Sequence, residues 1–113
     1  PQIPVTCVFG NVDGWDDPLT SHWTHVWVAG RFAELELDGK KAAVIHGDDF
    51  MRLRAVIDSG SYELVFTGHT HQRADEREGP TRIINPGALH RSREPGCAVL
   101  NLATGKLTYL DIA

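Results

Sequence analysis

Short apolar runs alternate with polar, glycine-containing turns along the whole chain. The runs are rich in β-branched and aromatic residues and predict strands at 3–9, 32–37, 41–46, 62–67, 82–84, 98–102 and 107–112. One segment has a helical period instead, because apolar residues recur at spacings of three and four from Phe50 to Ile57. Asp48 or Asp49 can cap the start of this helix, and Gly60 is expected to end it. The pattern predicts an α/β fold in a single domain, residues 1–113.

Local signals also predict two connections. Asp38-Gly39 lies between two apolar runs, which is typical of a β-hairpin with a two-residue turn. The charged run at 76–78 is expected to be the polar end of another hairpin.

Four predicted strands end in turns that carry chemically versatile side chains. These turns are Gly10-Asn11-Val12-Asp13, His46-Gly47-Asp48, Gly68-His69-Thr70-His71 and Asn85-Pro86-Gly87. Ligand sites of layered α/β proteins lie at the carboxyl ends of the strands. Imidazole nitrogens suit zinc, iron, nickel and copper, and amide or carboxylate oxygens extend the range to manganese. The two histidines at 69 and 71 alone are equally well explained as a structural pair, but His46 and Asn11 at equivalent strand ends favour a metal site.

In these four motifs, in their order and spacing, the sequence resembles the calcineurin-like metallophosphoesterases, in particular the small bacterial and archaeal phosphodiesterases and Vps29. The resemblance covers essentially the whole chain. It implies a four-layer α/β/β/α sandwich with mixed sheets and a two-metal site, in which a metal-bridged hydroxide attacks a phosphate ester. By position, Asn11, His46 and His69 would bind one ion and His71 the other. Residues expected beside the metals or the substrate are Asp13, Asp48, Asn85 and Gly87.

The chain departs from the family pattern before Asn11. The family motifs Asp-x-His and Gly-Asp, which supply two carboxylates, do not occur there. One amide and three imidazoles leave two divalent cations without compensating charge, which is unfavourable in a partly buried site. We therefore expect two ions (Mn, Fe, Ni or Zn) in the complete family site and at most one here. We also expect the N-terminal strands of the family fold to be missing, which would leave a sheet edge open to self-association.

Asp48 and the basic segment after the Asn-Pro-Gly turn each have competing interpretations. Asp48 stands where relatives often have histidine, and we favour a helix cap over a ligand role. His90, Arg91 and Arg93 follow the Asn-Pro-Gly turn and could meet a substrate phosphate. Solvated loop charges explain them more economically.

Charge and composition limit the classes of partner expected for this chain. The formal net charge of -4 argues against strong binding to a nucleic-acid backbone, and no apolar run is long enough to span a membrane. Cys7 and Cys97 lie in apolar runs, so we expect buried free thiols in a reducing compartment. No signal peptide is visible, and a cytoplasmic protein is expected.

Three functional hypotheses follow. The first is a metal-dependent phosphodiesterase or phosphatase, and the second is a catalytically silent, Vps29-like scaffold that binds proteins. The third is a shortened chain without a function of its own. The sequence predicts neither the substrate nor the metal.

Overall fold

The structure is a computed structural model that describes residues 5–8, 26–28, 30–89 and 91–112. In chain order, its elements are strands β1 (Val5–Cys7), β2 (Val26–Val28), β3 (Phe32–Leu37) and β4 (Lys40–Ile45), helix α1 (Phe50–Asp58), and strands β5 (Leu64–Thr67), β6 (Arg73–Glu78), β7 (Thr81–Pro86), β8 (Gly96–Leu100) and β9 (Leu107–Asp111).

The central feature is a five-stranded mixed sheet with the order β3-β4-β5-β7-β6. Strands β4, β5 and β7 are parallel to one another, and β3 and β6 pair antiparallel at the two edges. Two further pairs complete the description: β1 and β2 are parallel, and β8 and β9 form an antiparallel hairpin. The predicted α/β class with a mixed sheet is therefore confirmed.

Both faces of the central sheet are covered, which explains why its parallel strands have nearly continuous apolar sequences. Helix α1 packs on one face, where the buried residues are Ala43, Ile45, Ile57, Val65 and Ile83. The β8–β9 hairpin packs on the other face, where Ala42, Leu64 and Ile84 are buried against Leu100, Leu102 and Leu107. A fully buried aliphatic side chain such as Val65 contributes about 1.5–3 kcal/mol of transfer free energy. The described residues thus form an α/β/β arrangement, and the fourth layer stays a prediction.

The β3–β4 hairpin confirms the expectation from Asp38-Gly39. Both turn residues have positive φ, 53° and 79°, as a type I′ turn requires. The register pairs Leu37 with Lys40, which leaves a two-residue loop.

Helix α1 begins one residue later than a cap at Asp48 would allow. The side chain of Asp49 accepts a hydrogen bond from the Arg52 amide at 3.0 Å, so Asp49 is the N-cap. The favoured prediction that Asp48 caps the helix is wrong, because its carboxylate pairs with Arg31 at 2.7 Å. The helix ends as expected: Gly60 has φ 65° and donates its amide to the Ile57 carbonyl.

Two arginines attach the β8–β9 hairpin to the sheet. Arg82 binds both oxygens of Asp75 at 2.8 Å and donates to the Gly105 carbonyl at 2.7 Å. Arg73 pairs with Asp111 on β9, and its guanidinium lies 4.8 Å from the ring centre of Tyr109. The side chains of both arginines are 12–13% exposed, whereas Asp75 is 36% and Asp111 77% exposed, so the arginines are covered and their carboxylate partners face solvent.

The structure also bears on the expected burial of the cysteines and on the expected absence of a membrane span. Cys97 is exposed on the outer face of β8, so the expectation that it is buried is wrong. The side chain of Cys7 lies outside the description. None of the helical segments among the described residues has the length and hydropathy of a membrane span.

Candidate active site

Three of the four predicted site motifs meet at one edge of the central sheet. The register pairs Ile45 with Thr67 and Phe66 with Ile84, so β4, β5 and β7 end side by side. Since these strands are parallel, the residues that follow them share the same edge. The fourth motif, with Asn11 and Asp13, lies outside the described residues.

His46 and His69 are in direct contact there. Their ring centres are 5.2 Å apart and the ring planes are inclined by 76°. Imidazoles that bind one metal ion through nitrogens roughly 2 Å away hold their ring centres about 5 Å apart. The separation of the two rings therefore fits a pair of ligands to a single ion. Within the described ranges, no group of three or more His, Cys, Asp or Glu side chains is arranged to hold a metal.

The backbone around His46 is fixed by the neighbouring strand. Its carbonyl accepts hydrogen bonds from the Gly68 amide at 2.9 Å and from the Thr67 hydroxyl at 3.2 Å. Gly47 follows with φ 101°, and a Cβ at this position would lie 2.6 Å from the Thr67 hydroxyl oxygen. Only glycine fits this close approach, which is why His46 is followed by glycine.

The loop at 68–71 is held in an unusual conformation. His69 has φ 72° and His71 has φ 60°, in the left-handed region that non-glycine residues rarely adopt. The Thr70 amide donates to the Gly68 carbonyl at 2.9 Å, which closes a three-residue turn around His69. The Thr70 hydroxyl accepts a hydrogen bond from the Gln72 amide at 3.3 Å, and this bond closes a second small turn, around His71. Each such residue stores about 1 kcal/mol or more of strain, so other contacts must maintain the loop.

Asn85 supplies those contacts. Its side chain is 4% exposed, and its amide nitrogen donates to the Gly68 carbonyl at 3.2 Å and to the Thr70 hydroxyl at 3.0 Å. Its amide oxygen accepts from the Gly87 amide at 2.9 Å. Asn85 therefore ties the histidine loop to the turn after β7, and Gly87, with φ 84°, completes that turn.

His71 lies in different surroundings from His69. Its Nδ1 atom is 3.4 Å from the carbonyl oxygen of Arg91, and it lines a polar cavity together with Arg91 and Arg93. His69 lines a separate groove that also contains Asp48 and Asn85. The two histidines thus face different spaces although one residue separates them.

Thr67 and Thr70 are site residues that the sequence reasoning missed. Each hydroxyl supports the backbone beside a candidate ligand. No spacing rule marks them, since threonine is common at strand ends and in turns. Their positions directly before Gly68 and between the two histidines are the only signal in the sequence.

Comparison with known proteins assigns the chain to a family. Residues 1–105 match the model of the calcineurin-like phosphoesterase superfamily domain. The chain belongs to the calcineurin-like phosphoesterase superfamily, as the motifs predicted.

Individual relatives agree with this assignment. A curated phosphodiesterase from Methanocaldococcus jannaschii is 39% identical over 56 residues, which cover 50% of this chain and 34% of the relative. The match therefore spans about a third of that relative's length. The structure of an archaeal phosphodiesterase superposes with a TM-score of 0.82 at 26% identity, covering 95% of this chain and 68% of the other. Vps29 from Cryptosporidium parvum has the same fold, with a TM-score of 0.59 at 19% identity over 94% of this chain and 67% of its own.

Proposed function

We propose that this chain acts in the metal-dependent hydrolysis of phosphate esters, with phosphodiesters as the substrate class. The observation that carries the proposal is the contact of the His46 and His69 rings at adjacent strand ends, 5.2 Å between ring centres, in a chain of this superfamily. The curated relative and the superposed archaeal structure are both named as phosphodiesterases, which supports the reaction class. A Vps29 from Entamoeba histolytica with a similar fold (TM-score 0.50, 18% identity) was solved with Zn²⁺.

In this proposal His46 and His69 hold one divalent ion, with Asn11 as a further ligand and His71 directed to a second position. A divalent ion bound there would polarise a phosphoryl oxygen and make a bound water acidic enough to attack phosphorus. The remaining residues orient the ligands. Thr67 fixes the His46 carbonyl, and Asn85 fixes the loop that carries the other two histidines.

The test is metal binding and turnover by the same protein. Wild-type chain, His69→Ala and a matched control, His22→Ala, which removes a histidine not assigned to the site, would be titrated with Mn²⁺ and Zn²⁺. Each would then be assayed for hydrolysis of bis-p-nitrophenyl phosphate. Loss of His69 should lower activity at least about a hundredfold, as expected for loss of a metal ligand, and the control should retain it. Turnover that does not depend on added metal, or that survives His69→Ala, would contradict the proposal.

Metal stoichiometry tests the finer expectation separately. We propose at most one ion per chain, since the predicted ligands carry no negative charge. Two ions per chain by elemental analysis would contradict this count without affecting the reaction class.

A catalytically silent scaffold is the second candidate. The observation that favours it is the exposure of Phe50 (65%) and Met51 (83%) at the start of α1, because contiguous exposed apolar residues mark contact surfaces. Metal binding without turnover would favour this candidate over the first.

Self-association and a cytoplasmic location stay predictions, and sedimentation velocity would test self-association.

A further inference from the structure

A polar cavity beside His71 is large enough for a small-molecule group. Its volume is about 560 Å³, within the range of ordinary ligand sites. Arginines 73, 91 and 93 contribute to its wall, and Glu94 is its carboxylate.

The charges of this cavity do not balance. Glu94 pairs with Arg73 at 3.1 Å, and Arg73 also pairs with Asp111 on β9. Arg91 and Arg93 are both exposed, and neither guanidinium has a hydrogen bond or an ion pair with any side chain that the structure describes. The cavity therefore presents two positive charges that no described residue neutralises.

The backbone places these charges next to the candidate metal ligands. Nδ1 of His71 lies 3.4 Å from the Arg91 carbonyl oxygen, so the segment that carries the arginines contacts a predicted ligand directly. Arg91 itself has φ 54°, which turns the chain there. A group held by these arginines would lie beside a phosphate positioned at His71.

We propose that Arg91 and Arg93 bind a second phosphate group of the substrate, so that the chain prefers phosphate esters with two phosphates close together. Guanidinium groups suit this role because they present paired N–H donors that match phosphate oxygens. The inference rests on the proposed function, since it names the substrate class of the same site.

Inorganic pyrophosphate is a suitable probe, because it contains two linked phosphates and binding can be measured without metal. Isothermal titration calorimetry in EDTA at low ionic strength would compare the wild-type chain with Arg91→Gln/Arg93→Gln. The matched control is Arg77→Gln/Lys106→Gln, which removes the same charge from exposed positions outside this cavity. We expect the dissociation constant to rise about five- to tenfold in the cavity variant, as for two partly exposed charge pairs, and less than about twofold in the control. Thermal unfolding of each variant would verify that it is folded.

Three results would overturn the inference: no pyrophosphate binding by the wild-type chain, equal affinity in the cavity variant, or an equal loss in the control. The proposed function is judged separately by metal-dependent hydrolysis of bis-p-nitrophenyl phosphate, which has a single phosphate. Arginine-dependent pyrophosphate binding without turnover would leave the anion site standing and reject the proposed function. Turnover together with pyrophosphate binding that does not depend on the arginines would support the proposed function and reject the anion site.

Discussion

Replacing Asn85 with alanine should release the loop that carries His69 and His71. The substitution removes a side chain that is 4% exposed and makes three hydrogen bonds, two to the loop and one to the Gly87 amide. Each histidine has positive φ, so the loop is expected to relax once the contacts are lost.

The magnitude follows from two opposing effects. Three hydrogen bonds at about 1 kcal/mol each give about 3 kcal/mol of lost stability. Relief of strain at the two histidines, at about 1 kcal/mol each, returns about 2 kcal/mol of this. The net loss in the free energy of unfolding should therefore be about 1 kcal/mol.

Urea unfolding measures this loss as a shift in midpoint at constant m-value. Hydrogen exchange gives the local effect, since the amides of Thr70 and Gly87 should exchange faster in the variant. Asn101→Ala is the matched control: its side-chain oxygen also accepts two backbone amides, at 3.0 and 3.1 Å, but the residue is exposed. It should cost about 0.5 kcal/mol, as surface substitutions usually do.

A loss below that of the control would refute the reasoning. Unchanged exchange of the Gly87 amide would refute it too, because it would mean that Asn85 does not hold the turn after β7. The variant Asn85→Asp keeps the size of the side chain but removes the amide donor that binds the histidine loop. It keeps the oxygen that accepts from Gly87 but places a carboxylate beside the Gly68 carbonyl, and should be no more stable than the alanine variant.

Three more substitutions test the local structure. Gly47→Ala should cost about 2–3 kcal/mol in thermal or urea unfolding, because strain at positive φ adds to a steric clash, whereas Gly39→Ala has open space and should cost about 1 kcal/mol. Asp49→Ala should lower stability by about 1 kcal/mol through loss of the helix cap, and Asp48→Ala by less than about 0.5 kcal/mol; the reverse order would reject the cap assignment. The bidentate arginine partner of Asp75 lowers the pKa of that carboxyl below its ordinary value of 3.8. The stabilisation from this ion pair is therefore present above about pH 4 and is lost as the pH falls through the folded-state pKa of Asp75. In wild type the urea midpoint should fall between pH 5 and about pH 3, and Asp75→Asn should flatten this decline. Parallel curves for the two proteins would contradict the assignment.

The elements predicted correctly are those with local causes. The hairpin at Asp38-Gly39 depends on two adjacent residues that tolerate positive φ, and α1 depends on a cap, a period and a terminal glycine. Such signals act within a few residues, so a single sequence contains them. The meeting of the turns after β4, β5 and β7 at one edge of the sheet was also predictable. Polar side chains that can bind ligands directly follow each of these strands in the sequence.

Strand β6 has a non-local cause. Its sequence Arg-Ala-Asp-Glu-Arg-Glu contains hardly any apolar residues and was expected only as the polar end of a hairpin. It forms an edge strand because Asp75 binds Arg82 on β7 and Glu78 binds Arg54 on α1 at 2.9 Å. Charged edge strands also resist pairing with other chains. The exposure of Cys97 is similar, because which face of a hairpin is covered depends on the sheet that it packs against.

The two histidines of the site show the limit of motif reasoning most directly. On a regular strand, residues 69 and 71 would point to the same face, and both rings would be expected at one ion. The turn around His69, held by Asn85 from another strand, separates them instead, so that His69 contacts His46 and His71 lies beside the Arg91 carbonyl. The prediction that the two rings serve different ions came from the family resemblance rather than from the spacing. The strained loop is consistent with that prediction. In the metal site that we propose, the Asn85→Ala variant should therefore weaken binding through both histidines together.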